Sequence, residues 1–251
     1  MIYVTGDTHA DFRRFNMSNF PEQREMTRDD YMIICGDFGG IWDSGGESSN
    51  EKYWLDWLEN KPFTLLFVDG NHENFERLYS YPVKEWNSGR VHEIRPHILH
   101  MMRGQIFTIE GKKFFSFGGA NSRDIEGGIL EKDDPDFKKK RSRLNREYIP
   151  YRINHVSWWG QELSDEAEMQ EGTDNLWAHN NTVDYIITHC CSTSTQRLLN
   201  NRLYEADRET DYLEYIKNNV DYKIWFFGHY HDNIDINDKE KLLYEQIVRI
   251  L

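Results

Sequence analysis

Residues 2–12 read IYVTGDTHADF. Four strand-forming residues, three of them β-branched, stop at Gly6, and Asp7 and His9 follow at once on the turn. An apolar run this short, bounded by glycine, reads as a buried β-strand. An acid and an imidazole two residues apart at its end can be a chance turn or part of a site. Whether other strands end in the same way decides between them.

Four other runs do. YMIIC ends at Gly36-Asp37, TLLFV at Asp69-Gly70-Asn71-His72, DYIIT at His189, and KIWFF at Gly228-His229 with His231 two residues on. Helical patterns are expected between them at 50–59, where Tyr53, Trp54, Trp57 and Leu58 recur at helical spacing, and at 74–79, 164–170 and 195–203. Strands alternating with helices indicate α/β organisation. Residues 97–118 read instead as an antiparallel meander with turns at Arg103-Gly104 and Glu110-Gly111. The end of the chain, from Asn233 through a turn at Asn237-Asp238 to LLYEQIVRI, reads likewise. The expectation is two β-sheets packed face to face with helices outside, in a single domain over 1–251.

In an open α/β sheet, ligands bind beyond the carboxyl ends of the strands. That would gather Asp7, His9, Asp37, Asn71, His72, His189, His229 and His231 in one place. Carboxylate, amide and imidazole donors together suit divalent transition ions, Mn, Fe, Zn, Co or Ni, better than a thiolate or an all-oxygen site. Seven such donors exceed one tetrahedral ion and suffice for two ions sharing a carboxylate, the arrangement used for phosphoryl displacement. Two divalent ions, less the two aspartates and a hydroxide between the metals, leave about one net positive charge to receive a phosphate.

The ordered set GDTH, GDFGG, GNHE, ITH and GHYH resembles the calcineurin-like metallophosphoesterases, across residues 6–231. GGANSRD at 118–124 and SWWGQELSDEAE at 157–168 are similar to stretches of some bacterial members. The resemblance implies a four-layer αββα sandwich. It implies that Asp7, His9, Asp37 and His231 hold one metal, that Asp37, Asn71, His189 and His229 hold the other, and that Asp37 bridges them. Manganese is the favoured ion. His72 would then be the acid that protonates the departing oxygen, with Glu73 either orienting it or lying exposed at a helix start. The chain has Ala10 where the family usually has glycine. It has GDFGGIW where the protein-phosphatase branch carries a phosphate-binding arginine, so Arg123 and Arg152 become candidates for that role, each weighed against a plain surface position.

The expected activity is hydrolysis of phosphomonoesters or small phosphodiesters. A nuclease using the same metals, or a non-catalytic scaffold, are the alternatives. With 43 acidic against 30 basic residues and a net charge of -13, the surface as a whole repels nucleic acid and anionic membranes. The expected partner is therefore a phosphate ester, with no membrane, and with nucleic acid only as a substrate; oligomeric state is not encoded in these patterns. Residues 133–146, three acids and then KKKRSRLNR, read as a solvated loop or helix face. Cys35, Cys190 and Cys191 form no disulfide or CxxC framework and are expected to be small buried residues. Neither a membrane span nor a signal-peptide pattern is present, and the expected location is cytoplasmic. The histidines outside the motifs, at 92, 97, 100, 155 and 179, are expected to be ordinary core or surface residues, and Trp158 or Trp159 to wall the substrate site.

Overall fold

The computed structural model describes residues 1–199 and 204–251. The first part of the chain runs through β1 (Ile2–Thr5), β2 (Tyr31–Ile34), α1 (Ser49–Glu59), β3 (Thr64–Phe67), α2 (Phe75–Leu78), β4 (Val83–Trp86), β5 (Gly89–Arg95) and β6 (Ile98–Met101). The middle adds β7 (Gln105–Ile109), β8 (Lys112–Phe117), β9 (Ile129–Leu130), α3 (Phe137–Glu147), β10 (Arg152–Ile153) and α4 (Glu166–Ala178). The last part holds β11 (Tyr185–Thr188), α5 (Thr193–Leu199), α6 (Arg208–Asn219), β12 (Ile224–Phe227), β13 (Ile234–Asp235), β14 (Glu240–Leu242) and β15 (Ile247–Arg249).

Two large mixed sheets result. One has the order β15-β1-β2-β3-β6-β5-β4 and the other β13-β14-β12-β11-β8-β7, with β9 and β10 forming a small separate pair. Alternation along the strands sorts side chains into three apolar layers. Ile2, Val4, Ile33, Leu66 and Leu99 meet Phe107, Phe114, Ile187 and Phe226 between the sheets. The alternate residues Tyr3, Met32, Ile34, Leu65 and Phe67 pack outward with Leu55 and Leu58 of α1. On the far side Phe115, Phe117, Ile186, Trp225 and Phe227 pack with Leu176 of α4 and Leu213 and Ile216 of α6. Three cores separating helix, sheet, sheet and helix make the four-layer αββα sandwich that the sequence led us to expect.

The five motif-bearing runs are β1, β2, β3, β11 and β12. Within each sheet they pair in parallel, with Thr5 opposite Ile34, Ile34 opposite Phe67, and Ile187 opposite Phe226. Their carboxyl ends therefore emerge on one edge of each sheet.

The structure corrects the meander. Ile98–Met101 stays in the first sheet, parallel to β3, whereas β7 and β8 form a hairpin in the second. Residues 102–104 are thus a crossing between sheets, which alternation alone does not distinguish from a hairpin turn. The chain end behaves similarly: β13 and β14 pair in the second sheet, but β15 returns to lie antiparallel to β1.

Helix α4 extends to Ala178, well beyond 170, and starts from a capping box between Asp165 and Glu168. Helix α5 covers Thr193–Leu199, and the part of the expected 195–203 helix at 200–203 lies outside the described residues. The basic stretch becomes α3, a helix with only Leu144 buried. All three cysteines are buried and free. Among the described residues no helix is long and apolar enough to cross a membrane.

Candidate metal centre

Loop contacts join the strand ends before any ligand is considered. The N–H groups of Thr8 and His9 donate to the Asp37 carbonyl (3.1 and 2.8 Å), and Gly228 N–H donates to the His189 carbonyl (2.9 Å). Arg14, which sequence reading passed over, clamps the first loop: Nη1 donates to Thr5 Oγ1 (2.8 Å) and to the Tyr244 carbonyl, and Nη2 to the Asp7 carbonyl. An arginine nine residues past a strand end carries no sequence signal of this role.

Two sets of donor atoms converge. In the first, ligand atoms of Asp7, His9, Asp37 and His231 all lie within 4.8 Å of one another. His9 Nε2 and His231 Nε2 stand 2.9 Å apart, and His231 Nε2 is 3.2 Å from Asp7 Oδ2. In the second, Asp37 Oδ1, Asn71 Oδ1 and His229 Nδ1 are each 3.3 Å from His189 Nε2. Such spacings suit donors arranged about 2.0–2.2 Å from a common ion. Asp37 belongs to both sets, with Oδ2 facing His9 at 3.7 Å and Oδ1 facing His189.

The backbone is built around this convergence. A Cβ on Gly70 would fall 2.1 Å from Asp37 Oδ1, and one on Gly228 would fall 2.0 Å from Asp7 Oδ1, so neither position accommodates a larger residue. Left-handed strain falls on would-be ligands themselves: His9, Asp37, His229 and His231 have φ of 45°, 45°, 71° and 52°, and Ala10 has 60°. Positive φ costs a non-glycine residue about 1–3 kcal/mol and persists where surrounding contacts fix it. The glycines thus admit the side chains, while the ligands and Ala10 make part of the turn.

The charges also fit a cation. Burial opposes ionisation of Asp37, but His189, His72 and His9 outweigh it and hold the carboxyl well below its usual range. Burial likewise opposes a charge on His189, yet Asp37 and Asp7 push it up to about 10. Its Nδ1 lies 2.9 Å from the Cys35 carbonyl, which directs Nε2 to the site. A metal ion would replace the proton those carboxylates draw there. Burial, with His189 and Arg123, keeps His229 well below its ordinary value, so its ring offers a lone pair.

Supporting residues appear where the sequence showed motifs without roles. Glu162 accepts from Ser122 N–H (2.9 Å) and Oγ (2.6 Å), and Ser122 Oγ lies 3.4 Å from Asn71 Nδ2. The SWWGQE and GGANS stretches thus meet behind Asn71.

His72 sits beside the two sets. Its N–H donates to Asp37 Oδ1 (2.8 Å), and its ring lies 4.9 Å from that of His9. Burial, then Arg152 and the neighbouring imidazoles, outweigh Asp37 and hold it below its ordinary range. Arg152 is no surface arginine: it is buried, its Nε donates to Asp124 (2.8 Å) and its Nη1 to the Ser157 carbonyl (3.1 Å), and Nη2 faces His72 Nε2 at 3.3 Å. Arg123 instead donates to Gln196 (2.9 Å) and lies over the Tyr204 ring at 3.1 Å.

Two expectations are overturned. Glu73 is neither exposed nor a partner of His72; it is fully buried and accepts from the N–H groups of Phe38 and Gly39 (2.7 and 3.3 Å), bracing the loop after Asp37. Trp159 lies in the core against Trp42, Trp158 borders a separate hollow with Tyr79 and His155, and it is Trp42 that stacks on His72, with centroids 6.0 Å apart. Trp42 belongs to the GDFGGIW loop that follows β2 and carries Asp37.

The calcineurin-like phosphoesterase family model matches residues 1–233. The chain therefore belongs to the calcineurin-like phosphoesterase family. Members of this family bind divalent metals, and membership points to phosphate-ester hydrolysis as the class of activity. No curated protein matches the chain.

Proposed function

We propose that the protein is a dinuclear-metal phosphoesterase acting on phosphomonoesters or small phosphodiesters. Asp7, His9, Asp37 and His231 would hold one ion, and Asp37, Asn71, His189 and His229 the other, with manganese favoured. The observation that carries this reading is Asp37, whose two oxygens face two different groups of imidazoles. The ions would supply a water acidic enough to attack phosphorus near neutral pH, and positive charge opposite the phosphoryl oxygens.

The chain's own residues complete the chemistry. Arg152, with Nε and Nη1 anchored, would direct its remaining donors to the phosphoryl group. Arrival of that anion raises the proton affinity of His72, which then protonates the departing oxygen as the ester bond breaks. A scaffold that keeps only the fold has no need of seven converging donor residues or of strained backbone at four of them.

The test is elemental analysis of metal-supplemented protein alongside a panel of monoester, diester, nucleotide and single-stranded nucleic-acid substrates. Two ions per chain with ester hydrolysis are expected, and His72→Ala should lower kcat about 10²–10⁴-fold with both ions retained. A chain that binds no metal after supplementation is the scaffold instead. One observation favours a nuclease as second reading: the exposed basic helix α3 is joined through β10 to Arg152. Preferred cleavage of the single strand would establish it.

A further inference from the structure

We infer that the hollow beside His72 seats the leaving group of the ester, and that this group is an uncharged alcohol carrying a flat aromatic ring, such as a phenol or a nucleoside. This rests on the phosphoesterase reading. The oxygen that His72 protonates must lie next to it, so whatever that oxygen carries occupies the adjoining space. The bond from the water oxygen to phosphorus forms as that water gives up a proton to solvent, the P–O bond to the leaving group breaks, and the His72 proton leaves on the departing alcohol.

A hollow of about 270 Å³ borders His9 and His72 there, walled by Phe12, Trp42 and Trp54. Trp42 stacks on His72 with an interplanar angle of 29°, so an aromatic face adjoins the proton donor. Binding sites for drug-sized molecules run to roughly 300–1,000 Å³; this one takes a ring system and excludes a folded peptide segment. Aromatic walls favour a flat ring by stacking and by burial.

Its charge excludes a second anion. Glu51 is already engaged by the N–H groups of Trp42 and Asp43 and by Arg77, while the exposed Asp43 carboxylate at the rim has no hydrogen-bond partner among the described residues. A further phosphate on the leaving group would meet that carboxylate. The other hollow at His9, about 730 Å³, does not reach His72. Its guanidiniums are spent, Arg13 on Asp11 and Arg14 on backbone carbonyls and Thr5.

The experiment uses the full, metal-loaded chain. Calorimetry with adenosine and phenol, against ribose as a control, should show saturable binding of at least one ring probe and none of ribose. Steady-state kcat/KM should favour phenyl phosphate or adenosine monophosphate over glycerol phosphate by at least about tenfold, and the preferred one identifies the ring. Asn50→Phe fills the hollow from an exposed position of α1 without removing a core contact. It should weaken ring binding and ring-ester kcat/KM about tenfold and leave glycerol phosphate unchanged. Asp43→Asn should raise pyrophosphate hydrolysis severalfold.

Absence of ring binding, or an equal loss on all esters in Asn50→Phe, overturns the inference and leaves the phosphoesterase reading standing. Failure of the chain to hydrolyse any of the three esters, or a small phosphodiester, with two ions bound overturns that reading, and the leaving-group role with it.

Discussion

Two clusters of buried aspartate and histidine lie a few residues apart at the same end of the first sheet, and they are satisfied in opposite ways. Around Asp69, His100 Nε2 lies 2.9 Å from Oδ1, while Arg103 donates through Nε and Nη2 to Oδ2 (2.9 and 2.5 Å) and through Nη1 to Glu168 (3.0 Å). His92 closes the cluster against His100 at 2.9 Å. Arg103 and His100 overcome burial and hold Asp69 well below the usual carboxylate range. Around Asp7 and Asp37, by contrast, the ion-pair partners among the described residues are histidines alone. The first cluster contains its own guanidinium; the second has carboxylates, imidazoles and an amide turned towards one another, an arrangement that could hold a metal ion. Residue type therefore does not separate a structural cluster from a metal centre; the presence of a built-in guanidinium does.

Removing the shared carboxylate is the strongest way to break the contrast. Asp37→Asn is expected to abolish hydrolysis, by at least on the order of 10³-fold, and to lower the number of ions per chain found by elemental analysis. Retention of both ions would contradict the bridging role. The matching change in the other cluster, Asp69→Asn, should act on folding: the buried Arg103 charge would keep only the more exposed Glu168 as a carboxylate partner, a loss of up to about 3–5 kcal/mol. Denaturant unfolding reads that loss, and ions per folded chain should stay the same.

Smaller changes sharpen the comparison. Ser122→Ala removes the hydroxyl between Glu162 and Asn71, and outer contacts of this kind are worth about 10–100-fold in metal affinity; competition with a chelator measures it. Glu209 is a buried acid near the Asp69 cluster, and burial, only partly offset by Arg103 and Ser164, pushes it up to about 7 from 4.5. The folded chain holds a proton there that the unfolded chain releases between those values, so stability is lost as pH rises from 4.5 to about 7. Glu209→Gln should leave stability at pH 4 unchanged and raise it at pH 8, by up to about 3 kcal/mol, measured as unfolding midpoints at the two values.

The sequence by itself determined the five buried strands and the residues that end them. Apolar runs of four or five residues stopped by glycine or a polar cluster are a local signal, and β1, β2, β3, β11 and β12 fall where those runs do. Two layers of strands and the order of the motifs followed from the same pattern. It could not determine that β6 and β7 lie in different sheets, because a crossing and a hairpin turn place the same residues between two alternating strands.

Only the tertiary structure decided how side chains of similar character divide. His100 pairs with Asp69 because parallel register sets β6 beside β3, and His189 pairs with Asp37 because the two stacked sheets end their β11 and β2 strands side by side, across long separations in sequence. Glu73 turned inward to the loop after Asp37, and Arg152 reached His72 from a small pair of strands eighty residues on. Such placements depend on which elements pack side by side, and the free energy that fixes them comes from burial shared among distant segments, which no local stretch of sequence contains.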